Sequence, residues 1–179
     1  DMAADASVSA AYGAAGQRCM AISVVVAVGD IGDQLVAKIA QRIPDIVVGS
    51  TADSAVQLGP VISRESKQRI HGFIEGAERS DASLVVDGRL QDDQDGWLVG
   101  ASLVDHVKPG MPVYDEEVFG PVLSIVRAST YQEAMDIVAS HPLGNGAAIF
   151  TRDGGAAKRY ADDIQAGMVG INVPIPVPP

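Results

Sequence analysis

The sequence has little cysteine, few aromatic residues, few basic residues and no long apolar run. Among its 179 residues there is one cysteine, and aromatic side chains make up 4%. A single cysteine excludes an intrachain disulfide. Because 47% of the residues are hydrophobic but so few are aromatic, the core must consist mostly of Ala, Val, Ile and Leu.

The charge balance is acidic, with a formal net charge of −10. It argues against a nucleic-acid partner, which would require clustered Lys and Arg, and against binding to an anionic membrane surface. No apolar run approaches the roughly 20 residues of a membrane span. The lone cysteine and the lack of a basic leader predict a cytoplasmic location, with the mitochondrial matrix as the alternative.

Both ends of the sequence resemble internal positions of a longer chain. The first residue is not Met, the opening segment is already an Ala-rich helical pattern, and residues 174–179 are a proline-rich segment. We therefore expect a fragment of a longer protein.

Strand and helix patterns alternate along the chain. Runs of β-branched and apolar residues predict strands at 22–28, 83–86, within 97–107, and at 122–127, 147–151 and 168–173. Helical spacing predicts helices at 3–14, 30–41, 63–79, 131–140 and 153–165. Residues 91–96 predict an acidic turn. The alternation predicts an α/β fold with a mainly parallel open sheet and flanking helices.

Cys19 follows Arg18 in a segment rich in Gly and Ala, residues 13–20. A free cysteine is most often a small buried hydrophobe. The alternative is a covalent nucleophile, because small residues leave room for a carbonyl group and a neighbouring cation favours the thiolate. The three histidines are scattered and lack ligand spacing, so we predict no metal site.

Three consecutive carboxylates at 115–117 precede Phe119 and a Gly-Pro turn. Such a run is usually a charged loop. The functional alternative is that Glu117 accepts hydrogen bonds from ligand hydroxyls beside the flat wall of Phe119.

Two further features are weaker. Residues 144–146, Gly-Asn-Gly, indicate a turn, and Asn172 ends an apolar strand, where ligand sites of α/β proteins form. The sequence has no Gly-x-Gly-x-x-Gly and no Walker loop, so it lacks a nucleotide-binding fingerprint of its own.

Taken in order, the blocks at 16–19, 58–60, 116–122, 144–146 and 167–172 resemble the catalytic domain of the aldehyde dehydrogenase family. Residues 13–21 and 170–178 resemble its CoA-acylating methylmalonate-semialdehyde dehydrogenases. The resemblance implies that residues 1–179 are a cysteine-bearing catalytic-domain fragment. The NAD-binding domain and the oligomerisation strand would lie largely outside this chain, and the full-length protein would be a homo-oligomer.

The resemblance also implies NAD-dependent oxidative decarboxylation of methylmalonate or malonate semialdehyde to propionyl-CoA or acetyl-CoA. Cys19 would be the catalytic nucleophile, Arg18 would bind the substrate carboxylate, and Asn172 would order the substrate site. Glu117 and Phe119 would contact the nicotinamide riboside of NAD, and coenzyme A would accept the acyl group. Two alternatives stay open: a hydrolytic NAD(P)-dependent aldehyde dehydrogenase, and a non-catalytic fragment. We expect the isolated chain to be inactive.

Overall fold

The computed structural model describes residues 1–91 and 96–175. Most of the acidic turn predicted at 91–96, and the proline-rich segment from 176 onward, lie outside the described residues. The α-helices of these residues are α1 Met2–Tyr12, α2 Ile31–Arg42, α3 Arg64–Glu78, α4 Pro112–Asp115, α5 Tyr131–Ser140 and α6 Gly154–Asp163. Their strands are β1 Val24–Val28, β2 Ser83–Val86, β3 Ser102–Asp105, β4 Val122–Ala128, β5 Gly146–Ile149 and β6 Met168–Ile171.

The strands form two sheets. The larger has the order β1-β4-β3-β2, in which β4 runs parallel to both β1 and β3, and β2 is antiparallel to β3. The smaller consists of β5 and β6, paired in parallel with Gly146 opposite Met168. The predicted α/β fold with a mainly parallel sheet and flanking helices is confirmed, although the strands divide between two sheets.

The hydrophobic core lies around β4, whose residues are buried except for the half-buried Arg127. Helix α3 packs its predicted apolar stripe against this core: Ile70, Phe73, Ile74 and Ala77. The apolar run of β1 is less covered than that of β4: its valines are half-buried or exposed because β1 is an edge strand of the larger sheet. Within the described ranges no helix is long and apolar enough to cross a membrane.

Local sequence signals explain most element boundaries. Ser63 Oγ accepts from Ser66 N at 3.2 Å at the start of α3, and Thr130 Oγ1 accepts from Glu133 N at 3.1 Å at the start of α5. Asp30, expected to cap α2, makes no side-chain cap hydrogen bond. Helix α4, a single turn, was not predicted.

The strand predicted within 97–107 covers only Ser102–Asp105. Two residues before it form backbone hydrogen bonds outside the strands: Trp97 O accepts from Val61 N at 2.9 Å, and Gly100 N donates to Gly88 O at 3.0 Å.

Candidate active site

Between helix α1 and Cys19 the chain contains three residues with left-handed backbone conformation. The helix ends at Tyr12, whose buried hydroxyl donates to Ser102 O at 3.0 Å. Burial raises the pKa of Tyr12 well above its ordinary value, so the hydroxyl remains a donor. Ala14, Ala15 and Gly16 then have φ values of 53°, 56° and 66°. Gly13, with φ −55° and ψ 133°, already leaves the helical conformation, and the left-handed run that follows keeps the helix from resuming.

Cys19 lies in a β-turn directly after this run. Ala21 N donates to Arg18 O at 3.0 Å, which makes Cys19 and Met20 the central residues of the turn. Cys19 is exposed in the described chain, so the interpretation as a buried hydrophobe is not supported. The accessible sulfur meets the first geometric requirement of a nucleophile.

Gln17 ties this turn to two other segments. Its Nε2 donates to Ser66 Oγ at 2.8 Å and to Phe119 O at 3.2 Å, while its Oε1 accepts from Ile62 N at 2.8 Å. The sequence drew attention to Gln17 only as part of a motif. No local pattern reveals contacts that span 45 to 102 positions.

The loop before β4 presents Glu117 and Phe119. The Glu117 side chain is exposed, and its main-chain oxygen accepts from Arg69 Nη1 at 3.0 Å. Phe119 has φ 46° and is 38% exposed. An exposed carboxylate and a partly exposed ring on one loop are suited to accept hydroxyl hydrogen bonds and to lie against a planar group.

The two loops meet because of the sheet topology. The cysteine turn leads into β1 and the Phe119 loop leads into β4, and these parallel neighbours pair Val24 with Ser124. Both loops therefore lie at the amino-terminal edge of the larger sheet. Ligands of open α/β sheets usually bind at the carboxyl-terminal edge of the sheet. Applied to β1 and β4, that rule would therefore have predicted a site at the edge opposite to Cys19 and Phe119.

A cavity of about 320 Å³ adjoins the cysteine turn. It is lined by side chains of α1, of the turn and of the segment after β6: Ser9, Ala10, Arg18, Met20, Val173, Pro174 and Ile175. Arg18 is exposed to solvent, and its Nη1 would lie 3.4 Å from a β-carbon on Gly13. The cavity is thus lined by the guanidinium-bearing residue that precedes Cys19, and a guanidinium group can bind a carboxylate with two parallel hydrogen bonds.

Asn172 lies where β6 ends, with φ 55°. Its Oδ1 accepts from Thr151 N at 2.9 Å and its Nδ2 donates to Thr151 O at 3.0 Å. The side chain thus pairs with the backbone just beyond β5 and holds the ends of the smaller sheet together. Its predicted contribution to the substrate site stays a prediction.

Asn145 contacts the cysteine turn directly. Its Nδ2 donates to Cys19 O at 2.7 Å and lies 3.2 Å from Met20 Sδ. The sequence identified residues 144–146 as a turn and as part of the family resemblance, and it assigned no site role to Asn145. The topology that brings this turn to Cys19 could not be inferred from local composition.

A charged pair, Asp105 and Arg127, lies at the carboxyl-terminal edge of the larger sheet, opposite to the cysteine turn. At the ends of β3 and β4, Arg127 donates to both carboxylate oxygens of Asp105, Nε at 2.9 Å and Nη2 at 2.6 Å. Burial is the largest single influence on the pKa of Asp105 and acts to raise it, but the hydrogen bonds from Arg127, the one from His106 N and the positive charge of Arg127 together hold the pKa below its ordinary value. Among residues 1–91 and 96–175, no group of three His, Cys, Asp or Glu side chains could hold a metal ion.

Comparisons with known proteins agree on one family. The model of the aldehyde dehydrogenase family matches residues 1–179. A malonate-semialdehyde dehydrogenase from Pseudomonas aeruginosa is 44% identical, over 99% of this chain and 37% of its own. The chain thus spans about 37% of the length of this curated relative.

Solved structures give the same picture. The crystal structure of methylmalonate-semialdehyde dehydrogenase from Oceanimonas doudoroffii has 50% identity and a TM-score of 0.96, covering 99% of this chain and 37% of that one. Betaine aldehyde dehydrogenase from Staphylococcus aureus, in complex with NAD⁺, has 30% identity and a TM-score of 0.93, covering 98% of this chain and 36% of that one.

Proposed function

Because the chain belongs to the aldehyde dehydrogenase family, we propose that it supplies the cysteine-bearing catalytic part of an NAD-dependent, CoA-acylating dehydrogenase of malonate or methylmalonate semialdehyde. The observation that carries this proposal is that Arg18 and Met20, the two neighbours of the exposed Cys19 in sequence, both line the cavity. A cation at that place suits an aldehyde that also bears a carboxylate. The names of the relatives support the same substrate class.

Cys19 begins the reaction by attacking the aldehyde carbon. A carbon–sulfur bond forms and the carbonyl oxygen becomes an oxyanion. The Cys19 N–H is the proposed donor to that oxygen. Its orientation is set by the turn, because Arg18 O accepts from Ala21 N and the C=O and N–H of a trans peptide point in opposite directions.

The exposed Glu117 carboxylate and the partly exposed Phe119 ring fit a nicotinamide riboside. Glu117 would accept hydrogen bonds from ribose hydroxyls, and Phe119 would cover one face of the ring. When bound, NAD⁺ supplies the acceptor for the hydride that leaves the substrate carbon. The product of the oxidation is a thioester on Cys19.

Coenzyme A then releases the acyl group. Its sulfur bonds to the acyl carbon while the bond to Cys19 breaks, which returns the cysteine thiolate. The carboxylate that Arg18 binds leaves as carbon dioxide, and a proton replaces it on the adjacent carbon. Malonate semialdehyde thereby gives acetyl-CoA and methylmalonate semialdehyde gives propionyl-CoA.

We further propose a division of labour within the whole protein. This chain would hold the thiol and the Glu117 loop, and most of the NAD-binding domain and an oligomerisation strand would lie outside it. The whole protein would act as a cytoplasmic homo-oligomer. The 179-residue chain alone should form no NADH, and measurable NADH formation by it would contradict this division.

The decisive experiment supplies the whole protein with malonate semialdehyde and NAD⁺, with and without coenzyme A. We expect continuous formation of NADH and acetyl-CoA only when coenzyme A is present, no more than about one NADH per Cys19 without it, and neither product with Cys19→Ser. Formation of a free acid at an undiminished rate without coenzyme A would favour a hydrolytic dehydrogenase. An unreactive Cys19 and no turnover under any condition would favour a non-catalytic role.

A further inference from the structure

We propose that Asn145 is a positioning residue for Cys19, because its side-chain amide fixes the peptide group that follows the thiol-bearing residue. The hydrogen bond runs from Asn145 Nδ2 to Cys19 O, at 2.7 Å. Its effect on catalysis rests on the proposed function, whereas its effect on the backbone of Cys19 does not.

The geometry of the turn explains why this one bond matters. Two peptide groups flank the Cα atom of Cys19, and their orientations determine its φ and ψ. The preceding group is held through Arg18 O, which accepts from Ala21 N at 3.0 Å. The following group is the central peptide of the β-turn, which can rotate between the type I and type II forms. The Asn145 amide holds that group.

Asn145 is itself held by the smaller sheet. Its main-chain oxygen accepts from Met168 N at 3.1 Å, and Gly144 O accepts from Gly167 N at 3.1 Å. A β-carbon on Gly167 would lie 2.7 Å from Asn145 O, so the two segments touch at backbone distance. The donor therefore has a fixed base at the start of β5 and β6.

A packing contact accompanies the polar one. A β-carbon on Gly146 would lie 3.0 Å from Met20 Cε and 2.8 Å from Ile175 Cγ2, so Met20 packs where β5 begins. The smaller sheet thus supports the second half of the turn. Gln17 supports the approach to the turn from α3 and the Phe119 loop.

Three variants separate positioning from general stability. Asn145→Leu keeps a similar size but removes the donor, and Asn145→Gln keeps an amide donor on a longer side chain. Gln132→Leu is the matched control, because Gln132 is also an exposed amide that donates from its side chain, to Asp136 Oδ1 at 2.9 Å, and lies in α5 away from the cysteine turn. Asn145 is exposed as well, so these variants are expected to fold, and a thermal melt checks this.

The first measurement is independent of turnover. Since Cys19 is the sole cysteine of the 179-residue chain, labelling with carbonyl-¹³C cysteine gives one signal from the acceptor group. We expect an upfield shift in Asn145→Leu, because a hydrogen-bonded carbonyl is deshielded, and a return toward the wild-type position in Asn145→Gln. Gln132→Leu should not move it. An unmoved signal in Asn145→Leu would overturn the proposal.

The second measurement is steady-state kinetics of the whole protein. A misplaced Cys19 thiol lowers the rate of the chemical step and leaves binding of the aldehyde unchanged. We therefore expect kcat of Asn145→Leu to fall about 10- to 100-fold, while its KM for the aldehyde stays within about twofold of the wild-type value. Asn145→Gln should recover most of the loss. An unchanged kcat, or a KM that rises in proportion to the loss, would overturn the positioning role.

The two measurements distinguish the failure of this inference from the failure of the proposed function. An inactive wild-type protein with a shifted carbonyl signal in Asn145→Leu would refute the proposed function and support the bond to Cys19. An active wild-type protein whose kinetics ignore Asn145→Leu would support the function and refute the positioning role.

Discussion

A β-carbon on Gly16 would lie 2.1 Å from the carbonyl oxygen of Gly120. The segment before the thiol and the loop before β4 therefore touch backbone to backbone. Gly16 also has φ 66°, a conformation that side chains with a β-carbon rarely adopt. The contact holds Phe119, the neighbour of Gly120, close to the turn that carries Cys19.

We expect Gly16→Ala to lower the free energy of unfolding by about 2–4 kcal/mol, because left-handed backbone is costly for alanine and the methyl group must displace the Gly120 carbonyl. Gly72→Ala is the matched control: Gly72 lies in α3 with nothing within 4 Å of an added β-carbon, and alanine there should stabilise by up to about 1 kcal/mol. Urea unfolding of both variants measures the difference. A Gly16→Ala protein as stable as the wild type would argue against the close approach.

Gln17→Glu should weaken the links that Gln17 makes through its Nε2 donor. The new carboxylate can still accept from Ile62 N, and it can accept from the Ser66 hydroxyl in place of donating to it, but it cannot donate to Phe119 O. We expect KM for NAD⁺ to rise about 3- to 10-fold, which is the value of roughly one hydrogen bond. The control is Gln57→Glu. The described side-chain hydrogen bond of Gln57 is one that its Oε1 accepts from Val47 N, and a glutamate carboxylate can accept it equally well. Identical KM values for NAD⁺ in wild type and Gln17→Glu would show that Gln17 does not support the NAD contact of Phe119.

Arg18 should determine the preference for a carboxylated aldehyde. Replacing it with Gln removes a charge-assisted bidentate contact, so we expect KM for malonate semialdehyde to rise about 10- to 100-fold while turnover of propanal is unchanged. Arg18→Lys keeps the charge without the planar donor pair and should be intermediate. Arg152→Gln removes another exposed arginine as a control. A parallel loss toward both aldehydes would show that Arg18 does not select the carboxylate.

Asp105 should contribute to stability only while it is ionised. Its folded-state pKa is below the unfolded value of about 3.9, so its contribution is complete above that value and is lost as the pH falls through the lower folded pKa. Asp105→Asn should cost about 2 kcal/mol at pH 7 and flatten the fall in stability below about pH 4. Asp81→Asn, at an 87% exposed side chain, is the control. Unfolding free energies between pH 7 and pH 2 provide the test, and an unchanged acid profile would count against it.

The sequence predicts the fold well where local chemistry decides. Ser63 and Thr130 cap their helices through the bonds that their positions predict. The apolar run of β4 becomes the buried centre of the larger sheet. The exposure of β1 and the shortness of β3 could not be predicted, because both depend on which strand lies beside which.

The candidate site shows the same limit. Cys19, Arg18, Glu117 and Phe119 stand out in the sequence by residue type and motif. Asn145 does not, because its bond to Cys19 spans 126 positions and depends on how β5 lies against the turn. The Gly-Asn-Gly pattern at 144–146 predicts a turn whether or not Asn145 bonds to Cys19, so the pattern gives no sign of that bond.

The left-handed run at Ala14, Ala15 and Gly16 restricts how this region can vary during evolution. β-Branched residues are poorly tolerated in such backbone, and an insertion or deletion would rotate everything that follows it. The three residues therefore fix both the length and the handedness of the backbone that leads to Cys19.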